Sequence, residues 1–100
     1  MYDEGQGVSQ NYKTAVKWYR LAAEMGDADA QGNLGVMYGI GKGVIQDWVY
    51  AHMWGNLAAS NGNENGAKLG EIAAEQMTPS QLETAQKLAR ECVRKEYKGC

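Results

Sequence analysis

The chain has 100 residues and a formal net charge of −2 with both signs mixed. That is the length of one domain, and it lacks the concentrated basic face that nucleic acid or an anionic membrane surface rewards. No apolar run approaches the roughly 20 residues that span a bilayer, so membrane insertion is not expected either. Met1-Tyr2-Asp3-Glu4 is acidic rather than basic, unlike a secretory leader. The absence of a leader points to the cytoplasm, whereas a leader upstream of the visible sequence would point to the periplasm.

Residues 3 to 10 read as a glycine-punctuated loop ending before Asn11, whose side chain can accept from the free amides of a new helix. In that helix Ala15, Trp18, Leu21, Ala22 and Met25 recur at intervals of three and four and make one apolar stripe. Lys13, Lys17, Arg20 and Glu24 take the other face. Gly26 ends the helix and Asp27 caps the next, which runs from about 28 to 39 and carries Gln31-x-x-Leu34-Gly35-x-x-Tyr38. A glycine inside a helix costs about 1 kcal/mol relative to alanine, so a close helix-helix contact is expected at Gly35.

After the Gly41-Lys42-Gly43 turn, Asp47 caps a third helix with Trp48, Ala51, Trp54, Leu57 and Ala58 as its stripe. It is a second copy of the first. Met1-Tyr2-x-x-Gly5-x-Gly7-Val8 returns 36 residues later as Met37-Tyr38-x-x-Gly41-x-Gly43-Val44, and the match continues to Gly26 and Gly62 with 12 identities in 26 aligned positions. Average residue frequencies would give about two. Because Met1 occupies the position of Met37, the chain is expected to begin part-way through a unit.

Ala67, Leu69, Gly70, Ile72, Ala73 and Met77 mark a fourth helix, in which Leu69-Gly70 echoes Leu34-Gly35. Thr78-Pro79-Ser80-Gln81 then starts a fifth with an N-cap hydroxyl, proline at the first helical position and a glutamine placed to close a capping box. Leu82, Ala85, Leu88, Ala89 and Cys92 form its stripe, and Gln81, Glu83, Gln86, Lys87, Arg90, Glu91, Arg94 and Lys95 its polar side. A last helix that leaves the repeat and is polar on one side is what terminates a solenoid. The expected fold is all-α: one α/α solenoid of antiparallel helix pairs, with a partial repeat at 1–36, a second repeat at 37–77 and a capping helix at 78–100.

Catalytic and ligand chemistry finds little footing. Gly39-x-Gly41-x-Gly43 has the wrong spacing for a phosphate loop and follows no strand, so its glycines are read as turn formers. His52, the single histidine, has no Ser, Cys or carboxylate at a spacing that implies a triad and reads as a solvated or hydrogen-bonded helix residue. Cys92 lies on an apolar stripe as a small buried hydrophobe and Cys100 is expected to be exposed. Two cysteines so local make no disulfide framework, and neither a metal site nor a cofactor is indicated.

The Leu34-Gly35-x-x-Tyr38 spacing is similar to the first helix of the tetratricopeptide pattern. The Gly-x-Gly-Val loop and the Trp-x-x-Leu-Ala-Ala-x-x-Gly tails at 18–26 and 54–62 resemble more closely the Sel-one-like repeat family. Met77-Thr78-Pro79-Ser80-Gln81 running into Ala85-Gln86-Lys87-Leu88-Ala89-Arg90 resembles the terminal helix of bacterial members. The resemblance implies a scaffold or adaptor binding other proteins or peptides, with no enzymatic activity. A cysteine-rich subset of the family is linked to secretion and peptidoglycan-like ligands, and this chain lacks that subset's cysteine pair in each repeat. The resemblance also places the first helix of each pair on a concave face. On that basis Asp29, Asn33, Val36 and Ile40, with Glu64, Lys68 and Glu71, are the expected protein-binding residues.

The alternative from another class is a small-ligand or cell-wall-fragment binding protein or hydrolase. It would need a cluster of perturbed carboxylates or a Cys/His pair in one pocket, and the sequence offers neither. A further expectation concerns the N-terminal end, where only Met1-Tyr2 of a leading helix remains and the Trp18, Leu21 and Ala22 stripe lacks its usual cover. Self-association as a homodimer through Met1, Tyr2, Trp18, Leu21 and Ala22 is the expectation, the alternative being that residues upstream of the visible sequence provide the cover.

Overall fold

The computed structural model describes residues 4 to 100, with side chains from Asn11 onward. It contains five helices, α1 (Glu4–Glu24), α2 (Ala28–Ile40), α3 (Trp48–Ser60), α4 (Glu64–Glu75) and α5 (Pro79–Arg94), and no strand among the described residues. The all-α repeat array expected from the 36-residue period is the one formed. Consecutive helices pack α1 on α2, α2 on α3 and α3 on α4, α2 also touches α4, and α5 returns to lie on α3. Met1 and Tyr2 lie outside the described residues.

Local chemistry sets the helix starts. Asp27 accepts from the Ala30 amide at 3.0 Å, and Asp47 from those of Val49 and Tyr50 at 2.9 and 3.2 Å. Asn63 caps α4 through the Gly66 amide at 3.1 Å. At α5 the capping box is complete: Thr78 Oγ1 accepts from Gln81 N at 3.2 Å and Gln81 Oε1 accepts from Thr78 N at 3.0 Å.

The first element departs from expectation. α1 already begins at Glu4, so the region read as a loop over 3 to 10 is helical from there and Asn11 lies within the helix rather than at its cap. Glycine permits a left-handed turn without requiring one, and a helix carries Gly5 and Gly7 at about 1 kcal/mol each. In the second copy the equivalent glycines do turn the chain, Gly41 at φ 71° and Gly43 at φ 78°.

The buried face of α1 also differs. Val16 and Ala23 enter the core, with Tyr19 and Ala22 packed against it, while Trp18, Leu21 and Met25 from the expected stripe stand exposed. Periodicity offers two adjacent stripes on this helix, and α2 covers only one. Arg20, expected to face outward, is half-buried and donates from Nη2 to the Tyr38 hydroxyl at 2.7 Å, tying α1 to α2.

On α3, by contrast, Ala51, Met53, Trp54, Leu57 and Ala58 are all buried, enclosed by α2, α4 and α5. Close approach is made possible by missing side chains. A Cβ at Gly35 would sit 2.7 Å from Leu69 Cδ2 and 3.2 Å from the Ala51 carbonyl oxygen, and one at Gly66 only 2.5 Å from the Gly55 carbonyl oxygen. The contact expected at Gly35 is therefore present, and α4 approaches α3 still more tightly at Gly66.

One fully buried amide joins three elements. Gln31 donates from Nε2 to the Ala23 carbonyl at 3.1 Å and accepts from Asn61 Nδ2 at 2.9 Å, and Asn61 also donates to the Tyr97 hydroxyl at 3.2 Å. Both ends of the Gln31 side chain are satisfied, which offsets the cost of burying it.

The C-terminal turn completes the core. After α5 the amide of Tyr97 bonds the Cys92 carbonyl at 2.8 Å and that of Glu96 the Val93 carbonyl at 3.0 Å, with both residues at positive φ. This helix-ending pattern carries the chain back, so that Cys100 is half-buried and forms a disulfide with Cys92. The expectation of an exposed Cys100 is corrected: at a sequence separation of 8, the reversed chain brings it back onto the buried Cys92.

Candidate functional site

α2 and α4 lie side by side with their starts held together, because Asn63 Nδ2 donates to Asp29 Oδ1 at 2.9 Å. Between their outer faces runs an open groove of about 300 Å³, lined by Val36, Gly39 and Ile40 of α2, Trp48 at the start of α3, and Asn65, Lys68, Leu69 and Ile72 of α4. Val36, Ile40 and Ile72 are 40%, 55% and 51% exposed. Gly39 deepens the floor, since a Cβ there would press to 3.3 Å against the Trp48 ring. Three branched apolar side chains open to water beside an indole make an unusual surface for a small domain.

Of the seven residues expected to bind protein, Val36, Ile40 and Lys68 line this groove. Asp29, Asn33, Glu64 and Glu71 are all exposed and flank it rather than line it. Trp48, Leu69 and Ile72 belong to the groove although their helical spacing marks them as core. Ile72 lies one turn beyond Lys68, and continuing the 65, 68, 72 series along α4 is the signal that finds it.

The other candidate residues serve the fold. Gly41 and Gly43 turn the chain between α2 and α3. His52 is buried and hydrogen-bonded one turn onward, with Asn56 Nδ2 donating to His52 Nδ1 at 3.3 Å, and burial lowers its pKa from the ordinary 6.5. No cluster of His, Cys, Asp or Glu suited to a metal ion occurs among the described residues. None of their helices is long and apolar enough to cross a membrane.

The helices, their repeat and the open groove define a helical-repeat protein. The model of the Sel1 repeat matches residues 1–27 and 28–63, and the chain belongs to that family. The second match starts with α2 and closes just beyond α3. No match was found among the curated proteins or among the solved structures. Sel1 repeats are in general modules for binding other proteins.

Proposed function

We propose that this protein is a non-catalytic interaction module that receives a segment of a partner protein in the groove between α2 and α4. The apolar groove wall carries the reading: Val36, Ile40 and Ile72 stand open to solvent beside Trp48, and such surface on a small domain marks a binding site. Asp29, Glu64 and Glu71 on its flanks favour a partner segment with basic residues next to its apolar ones. The Cys92–Cys100 disulfide supports work in an oxidising compartment.

The test is selection from a displayed peptide library. The wild-type protein is expected to enrich peptides bearing large apolar residues next to Lys or Arg, and Ile72→Glu to lose them. Equal enrichment on both proteins, or none on either, would refute the reading.

A further inference from the structure

Among the described residues, two open surfaces match each other. On α1, Trp18, Leu21 and Met25 are 62%, 47% and 85% exposed and follow one another at intervals of three and four. Lys13 and Lys17 are exposed on the turns before them, and the Lys17 ammonium stands 6.0 Å from the Trp18 ring centroid. The α1 face thus passes from cationic to apolar along the helix, over about 12 Å from Lys17 to Met25 at the helical rise.

The groove is graded in the same sense with the opposite charge. Its beginning is acidic, with Asp29 of α2 and Glu64 of α4 exposed where Asn63 joins the two helix starts. Its end is apolar, at Ile40 and Ile72. From Glu64 to Ile72 is again about 12 Å. Lys68 lies between, with Glu64 and Glu71 each one turn away, so negative charge prevails on this side of α4.

We infer that the α1 face of one copy docks in the α2/α4 groove of a second, parallel to those helices. Lys13 and Lys17 lie toward Asp29 and Glu64, Trp18 and Leu21 lie along the groove, and Met25 reaches its apolar end. An amphipathic helix laid in an apolar groove is a recurring mode of recognition. The inference rests on the groove being a docking site and adds its occupant when no partner is bound, so that self-association and partner binding exclude one another.

The experiment is sedimentation of wild type, Trp18→Glu, Ile72→Glu and a mixture, with circular dichroism verifying that each variant is folded. Both substituted residues are exposed. Wild type should associate beyond its 10.9 kDa as concentration rises, and less so at high salt, with each variant monomeric. Mixing the variants should restore a one-to-one pair and nothing larger, because one keeps a groove and the other an α1 face. Lys17→Glu should weaken association and the double variant Lys17→Glu/Glu64→Lys should recover it. A wild type monomeric at millimolar concentration, a mixture that fails to pair, or association lost in Trp18→Glu but untouched in Ile72→Glu would overturn the proposal. The last would mean α1 packing on α1. Trp18→Glu keeps its groove, so peptide selection on that variant judges the docking site separately from self-association.

Discussion

α1 and α3 carry the same phrase, Trp-x-x-Leu-Ala-Ala-x-x-Gly, and meet different fates. Trp54 and Leu57 of α3 are 0% and 2% exposed, whereas their counterparts Trp18 and Leu21 are 62% and 47% exposed. Both helices end alike, at Gly26 with φ 89° and Gly62 with φ 105°, so the shared residues specify the helix and its stop. Burial comes from the neighbours: α3 is enclosed by α2, α4 and α5, while among these α1 has α2. In a repeat protein an apolar stripe is a request for a partner, and the array decides whether it is met.

The largest test of that contrast is truncation of the two indoles. Trp54→Ala should cost about 3 to 5 kcal/mol, the range for a large aromatic side chain removed from a core. Trp18→Ala should stay within about 0.5 kcal/mol under monomeric conditions. Urea melts read both, and equal costs would dissolve the distinction between the two copies.

The enclosure of α3 depends in part on α5, and α5 on its terminal clip. Reducing the Cys92–Cys100 bond, which joins residues at a sequence separation of 8, should lower stability by about 2 to 3 kcal/mol by the loop-entropy estimate. Melts with and without reductant check this, and Cys100→Ser should reproduce the reduced value.

Gly66→Ala tests the other wall of α3. Its new Cβ would meet the Gly55 carbonyl oxygen at 2.5 Å and the Ala59 amide nitrogen at 2.9 Å, so α4 must move away. A loss of about 1 to 3 kcal/mol is expected despite alanine's better helix propensity. A gain in the same denaturation assay would mean that α4 is not closely docked.

The smallest effect concerns a matched pair of equal burial, Val16 and His52, each 6% exposed. Burial lowers the pKa of His52, so the unfolded chain takes up the proton first as pH falls. Its contribution to stability is full above about pH 6.5 and declines as pH falls from there to the folded-state pKa. His52→Val, which copies the residue of α1, should flatten that part of the stability profile.

Much of this was legible where the rules are local. Asp27, Asp47 and the Thr78/Gln81 box announce helix starts because a cap needs only its own first turn. Gly35 announces a contact because its cost demands one. The buried side of α1 was not legible, since Val16, Tyr19 and Ala23 form as good a stripe as Ala15, Trp18 and Ala22, and only the position of α2 chooses between them. The disulfide was hidden for a similar reason: it depends on a turn with Glu96 and Tyr97 at positive φ, and neither residue type signals one. Of the groove, Val36, Ile40 and Lys68 follow from the concave face that the family resemblance implies, whereas Trp48, Leu69 and Ile72 carry an apolar periodicity that marks buried and open positions alike.

The most direct measurement of whether the groove is the binding site uses the indole N–H signals of isotope-labelled Trp18→Glu protein, in which only Trp48 and Trp54 remain. Titration with a peptide selected on the wild type should move the Trp48 signal, at the groove, and leave that of the enclosed Trp54 in place. A peptide that binds while Trp48 stays still would place recognition elsewhere on the molecule and contradict the proposed site.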